Sequence, residues 1–250
     1  MELIVPDWPG APRNVAALST TRRGGVSSAP YDDGSGAGGL NLGIHVGDQP
    51  DDVRRNRMLL RGVLPSEPVW LSQVHGTAVV DAAAATGIPR ADACIAAAPG
   101  VVCAIQTADC LPVLFCDSGG KVVGAAHAGW RGLAHGVLEN TVQAMRDRGA
   151  GEILAWLGPA IGPERFEVGE DVFAAFTAND GILRAGFRPI AGTPGKYLAD
   201  IYFLARKKLE RLDVRRCYGG GFCTVADRRR FYSYRRDRDT GRMASLIWLT

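Results

Sequence analysis

The sequence has little of what would place it in several large functional classes. Its 250 residues include four histidines, too few for an enzyme that ligates several copper ions through imidazoles. No apolar run approaches the ~20 residues that cross a bilayer, so no membrane association is expected. A net charge of +3 gives no argument for nucleic acid or an anionic membrane surface. The opening stretch MELIVPDWPGAPRN has no basic region followed by a long apolar segment, so no secretory leader is expected. The six cysteines, at 94, 103, 110, 116, 217 and 223, lie mostly inside apolar runs and form no disulfide framework, which fits a reducing cytoplasm. Internal repeats, linkers and coiled-coil patterning are missing too, and a monomer is expected. What remains is a globular composition, 46% hydrophobic and 22% charged, with ample length for a substantial core.

The chain is organised around VVCAIQTADCLPVLFCDSGGKVVGAAHAGWRG, residues 101–132. VVCAIQ, LPVLFCD and KVVGAAH read as three buried strands, with Asp117-Ser118-Gly119-Gly120 a hairpin-type turn between the last two. Cys110 and His127 each fall where an apolar run gives way to a loop, a frequent location for catalytic groups. Upstream, His75 interrupts another strand-like run, LSQVHGTAVV. Two imidazoles and a thiolate suit Zn²⁺, and three protein ligands leave a fourth position for water or substrate. Two alternatives stay open. Cys110 could be a thiolate nucleophile with His127 as its base, or all three could be packing and hydrogen-bonding residues at strand ends.

Residues 51–62 read as a helix with Asp51 and Asp52 in its first turn and a closing glycine. Residues 133–148 form the clearest helical pattern, with Leu133, Val137, Leu138, Thr141, Val142 and Met145 on one face. This helix follows His127 closely, so its free N–H groups are expected to face the site and favour an anion. Residues 153–157 read as a strand, 167–176 as a helix, 179–196 as a loop-rich excursion, 198–212 as an amphipathic helix, 214–218 as a strand and 243–249 as the last strand. His45 and His135 read as solvated residues, and Phe231–Asp237 as an edge strand with solvated charges. Strands and helices mix without strict alternation, which predicts one α+β domain, residues 1–250, with a mixed central sheet and flanking helices.

The motifs TTRRGGVS, NLGIHVGD, QVHG, TADCLPVLF, AAHAGWRG, GPAIGP, FCT, FYSYRRD and TGR span positions 20–242. In that order they resemble the YfiH family, described first as laccase-domain or polyphenol-oxidase proteins and later as purine nucleoside phosphorylases. The resemblance implies a zinc site made of His75, Cys110 and His127, and an active-site arginine at Arg22, with Asn41 and Arg235 as further matching polar residues. It also implies phosphorolysis of adenosine, inosine, guanosine and methylthioadenosine, deamination of adenosine, and a fold similar to a deamidating bacterial toxin with a Cys-His pair. One departure is Ala160, where the family usually has cysteine. On this reading purine nucleosides and phosphate are the partners, Arg22 holds phosphate and Asp109 is the nearest candidate general acid. The competing expectations are a Cys-His amidase or esterase editing a peptidoglycan precursor, a copper polyphenol oxidase and a non-enzymatic zinc-stabilised binding protein.

Overall fold

The computed structural model describes residues 1–178 and 180–250. In chain order the elements are β1 (Leu3–Ile4), β2 (Val15–Thr20), β3 (Arg23–Ser27), α1 (Pro50–Arg61), β4 (Val79–Asp81), β5 (Ala93–Ala96), β6 (Cys103–Thr107), β7 (Leu111–Asp117), β8 (Val123–Ala128), α2 (Trp130–His135), α3 (Val137–Asp147), β9 (Ile153–Leu157), β10 (Glu167–Gly169), α4 (Glu170–Thr177), a 3₁₀ turn (Gly181–Gly186), β11 (Phe187–Pro189), β12 (Lys196–Ala199), α5 (Ile201–Arg211), β13 (Arg216–Gly219), α6 (Tyr234–Asp237) and β14 (Met243–Leu249).

The expected mixed central sheet is present. Its six strands run in the order β13-β9-β7-β8-β5-β4, with parallel pairs at both edges and antiparallel pairing between them. A second, antiparallel sheet runs β1-β2-β14-β6, and a small third sheet runs β10-β12-β11. The period-2 rule sorts β7 between two cores. Leu111, Val113 and Phe115 pack among residues of α3 and α5, while Leu114 and Cys116 face Cys103, Ile105 and Ile247 of the second sheet. A strand buried on both faces has no polar alternation, which is why LPVLFCD reads as an unbroken apolar run. The outer face of the second sheet is closed by Leu60 at the end of α1, with Leu64 and Trp70, against Leu18, Leu246 and Trp248. The result is a four-layer stack of helix, sheet, sheet and helix.

The differences from expectation are local. The predicted 133–148 helix starts earlier, at Trp130, and is broken at Gly136, whose φ of +105° suits glycine. Its apolar face is as read: Leu133, Val137, Leu138, Thr141, Val142 and Met145 are all buried. The predicted 167–176 helix opens as strand β10, and the 198–212 helix opens as strand β12 before Asp200 caps α5 by accepting from the Phe203 N–H. The 179–196 excursion holds the 3₁₀ turn and β11, and its first residue, 179, lies outside the described residues. Phe231–Asp237 is no edge strand: Phe231 and Tyr232 are fully buried and α6 follows them. His75 lies in a loop ahead of β4, not within a strand.

Candidate active site

The β7–β8 hairpin brings Cys110 and His127 together. Antiparallel register pairs Leu111 with Ala128 and Pro112 with His127, so the residues flanking the open end of the hairpin, Cys110 and Gly129, become neighbours. The closed end is fixed by Asp117, whose carboxylate accepts from the N–H groups of Gly119, Lys121 and Val122. A spacing of 17 residues thus collapses to side-chain contact through one turn. On the other side of β8, Ala93 of β5 pairs with Ala126, which sets Asp92 beside His127. The His127 N–H donates to the Asp92 carbonyl at 2.7 Å, and its Nδ1 lies 2.8 Å from Asp92 Oδ1.

Asp92 also delivers the third residue. Its carboxylate accepts from the backbone N–H groups of Val74, His75 and Gly76 at 3.2, 2.8 and 2.7 Å. That clamp holds His75 in a left-handed conformation (φ +60°), with Nε2 3.7 Å from Cys110 Sγ. The ligand atoms of His75, Cys110 and His127 all lie within 4.8 Å of one another, and the two imidazole rings meet edge to face at 4.7 Å. Space for an ion is kept by Gly129. A Cβ there would stand 2.9 Å from His75 Cδ2 and 3.1 Å from Cys110 Sγ. Since Nδ1 of His127 is engaged by a carboxylate, Nε2 is the ring nitrogen left for the cradle. The donor set, tautomer and cradle together fit a single metal ion.

The electrostatics favour a thiolate. Burial by itself pushes the Cys110 thiol up, but the imidazoles of His127 and His75 outweigh it and bring it down to about 6. Burial pushes the His127 imidazolium down, yet the Cys110 thiolate and the Asp92 carboxylate hold it up at about 9. Asp92 is kept ionised against its own burial by His127 and the backbone N–H groups.

The three residues sit in a cleft of about 920 Å³, with Trp70, Leu71, Ile88, Gln73, Gln106, Thr107, Tyr234, His45, Arg57 and Arg242 around them. Among the described residues, no aspartate or glutamate lines it. His127 is buried, Cys110 half-buried and His75 exposed, so the group opens to the cleft on the His75 side.

Arg22 and Asp109 are placed elsewhere. Arg22 lines a separate cleft of about 700 Å³, where Arg23, Arg228 and Arg229 face Asp32, Asp33, Asp237 and Asp239. Its guanidinium is buried, donates to the Asp32 carbonyl from Nε and Nη2 at 3.0 and 2.7 Å and to the Arg228 carbonyl at 3.2 Å, and lies over the Tyr232 ring. These contacts tie the 28–38 loop to the C-terminal segment and leave Arg22 outside the triad cleft. Asp109, at φ +92°, turns its carboxylate to Thr224 Oγ1 (2.6 Å), Ser233 Oγ (3.1 Å) and the Arg235 N–H (2.6 Å). It clamps the C-terminal segment beside the site, a positioning job that engages both its oxygens. Arg235 donates to the Glu167 carbonyl, and buried Asn41 accepts the Arg242 N–H at 2.8 Å. Ala160 is buried, donates its N–H to the Tyr202 hydroxyl and does not line the cleft, so the departure from cysteine leaves the triad untouched. The helix start expected to face an anion belongs to the six-residue α2, not to a long helix.

Sequence reasoning passed over Asp92, Arg57 and the placement of His45. Asp92 had one signal, a carboxylate embedded in the otherwise apolar ADACIA. His45 had only its place as a polar residue among glycines, and Arg57 had none, because which loops fold over the cleft decides where both lie.

An α+β fold with a mixed central sheet and a His-Cys-His group at the base of a cleft defines a candidate metalloenzyme. A family model described as multi-copper polyphenol oxidoreductase laccase matches residues 16–250. The chain is 55% identical to a purine nucleoside phosphorylase, YfiH, of Escherichia coli (strain K12), covering 99% of each. It is also 55% identical to a purine nucleoside phosphorylase of Pseudomonas aeruginosa, covering 98% of each. A crystal structure of a Neisseria meningitidis protein superposes with a TM-score of 0.91 at 51% identity, covering 100% of this chain and 99% of that one. The crystal structure of a Bacillus licheniformis hypothetical protein, YfiH, superposes with a TM-score of 0.84 at 30% identity, covering 94% of this chain and 93% of that one. The chain belongs to the YfiH family.

Proposed function

We propose that this protein is a zinc-dependent purine nucleoside phosphorylase that also deaminates adenosine. The observation that carries the reading is the His75–Cys110–His127 group, held by Asp92 and opened by Gly129 at the base of a nucleoside-sized cleft. The relatives' names supply the reaction class. His75, Cys110 and His127 would hold the ion. Bound there, zinc supplies a Lewis acid with one position open to substrate. One zinc fits the donor set better than copper chemistry spread over several ions, because the chain has only four histidines and one of them, His135, is outside the cleft.

The chain's own residues do the rest. Asp92 fixes the tautomer and the ring plane of His127 and the backbone that carries His75. Ile88 and Tyr234, both exposed, offer apolar and flat surface to a purine, and Ser72, Thr107 and Gln106 offer polar atoms to the ribose side. In phosphorolysis a phosphate oxygen bonds to C1′ as the C1′–N9 bond breaks, and its electron pair passes to N9. Hydrogenphosphate gives its proton to the departing purine, leaving ribose 1-phosphate. The test is adenosine with and without phosphate, on wild type and His75→Ala. Phosphate-dependent adenine release lost in the variant is the expected result; no purine product in wild type would refute it.

One observation favours a second reading. Cys110 at about 6, His127 beside it and Asp92 on Nδ1 also compose a nucleophile, base and orienting carboxylate for an amidase or esterase. His75→Ala separates the two, since a Cys-His hydrolase keeps part of its activity without His75.

A further inference from the structure

Two arginines in the triad cleft have N–H donors to spare. Arg242 directs Nη1 to the carbonyls of Thr240 and Gly241, at 2.9 and 3.1 Å, which leaves Nε and Nη2 without a protein acceptor among the described residues. Arg57 stacks on Trp70 at 4.1 Å and donates from Nε and Nη2 to the Leu42 carbonyl, which leaves Nη1 without one. Neither makes an ion pair with a carboxylate among the described residues, although fifteen other such pairs are present. Both are half-buried, so this is no sign of free solvation. The cleft that holds Arg22 shows the contrast: its four arginines face four aspartates.

The placement of both is built. Asn41 anchors the Arg242 backbone from one side, and Gly43 lies where a Cβ would stand 2.8 Å from Arg242 Cγ, so the arginine stem packs directly against the NLG turn. The same turn supplies the Leu42 carbonyl that orients Arg57 and also accepts from Gln106. His45, on the next stretch of that loop, lines the same cleft. Burial and the positive charges of Arg242 and Arg57 hold its imidazole below the usual range, which marks both guanidinium groups as its neighbours.

We propose that Arg57 and Arg242, with His45 at the mouth, form an anion subsite that takes inorganic phosphate beside the His75–Cys110–His127 group. A planar guanidinium with unused N–H donors and no carboxylate partner is matched to a tetrahedral oxyanion. The location follows from the unused donors of the two arginines in the cleft and stands without the phosphorylase reading; assigning the bound phosphate as the nucleophile at C1′ rests on that reading.

The test is calorimetric titration of inorganic phosphate into zinc-loaded wild type, Arg242→Gln, Arg57→Gln and Arg229→Gln, alongside the KM for phosphate in adenosine cleavage. Arg229 is exposed in the other cleft and serves as the charge control. Each cleft substitution is expected to weaken phosphate binding and raise its KM by about tenfold, with zinc content unchanged and the KM for phosphate raised more than the KM for adenosine. Arg242→Lys, which keeps the charge with fewer donors, is expected to recover part of the binding. Phosphate binding equal in wild type and both variants overturns the subsite, as does binding lost on chelation of zinc but indifferent to the arginines. An unchanged KM for phosphate in both variants overturns it while leaving the phosphorylase standing. Arginine-dependent phosphate binding with no adenine release keeps the subsite and removes the phosphorylase.

Discussion

Asp92 carries four hydrogen bonds on one buried carboxylate, three from the backbone of the His75 loop and one from His127. It is the point at which two residues 52 positions apart in the sequence are made into one site. Asp92→Asn keeps the size of the side chain but replaces an acceptor oxygen with an NH₂ group. Zinc affinity is expected to fall by about 10- to 100-fold, measured by competition with a chromophoric chelator, and wild-type affinity in the variant would remove Asp92 from the site. Gly129→Ala pushes a methyl group into the cradle and should lower zinc occupancy without loss of the overall fold. The pH behaviour of the apo protein follows from the pair of shifts. Cys110, lowered to about 6, is a thiolate above that value, and His127, raised to about 9, keeps its proton up to that one. Between the two, metal binding must displace the His127 proton but none from Cys110, so about one proton per zinc should leave the pair. Below about 6 the count should rise as Cys110 is also protonated. Titration of zinc in buffers of different ionisation enthalpy reads this directly; a release that does not change across that range would contradict the thiolate–imidazolium pair.

At the scale of elements, the hairpin of β7 and β8 was readable because its signals are local. Two unbroken apolar runs flank Asp117-Ser118-Gly119-Gly120, and the ends of that hairpin are Cys110 and His127. The helix break at Gly136 was not readable, because a single glycine within a helical pattern is tolerated in many helices and only its φ of +105° reveals the corner. Gly136→Ala should destabilise the fold by about 1–3 kcal/mol, seen as a lower denaturation midpoint. The segment after β13 shows the limit from the other side. Phe231 and Tyr232 look like half of an alternating edge strand, yet both are buried because Asp109, far away in sequence, pulls Thr224, Ser233 and Arg235 onto the site. Asp109→Ala should therefore loosen residues 224–236, with faster amide hydrogen exchange there than in β7 or β8.

For the whole molecule, the triad and the mixed sheet were legible because they are carried by motifs and by apolar runs that leave few options for packing. The surroundings of the triad were not. Arg22 reads in the sequence as an anion holder on a glycine-rich turn, but the fold spends its guanidinium on loop carbonyls in another cleft. Arg57 lies on α1, His45 in the preceding loop and Arg242 just before β14, and the packing of α1 and that loop against the second sheet brings them to one wall. Guanidinium groups that read as surface charges in the sequence are gathered here around one cleft.

The proposed reaction is a metal-dependent one of purine nucleosides at His75, Cys110 and His127. Its most direct test is adenosine turnover followed by product chromatography, plus and minus phosphate, with metal-analysed wild type and His75→Ala. One equivalent of zinc in wild type, with phosphate-dependent adenine release and some inosine formed without phosphate, all lost in the variant, is the expected result. Wild type that holds no zinc and yields neither adenine nor inosine would contradict it and leave the Cys110–His127 hydrolase as the reading to pursue.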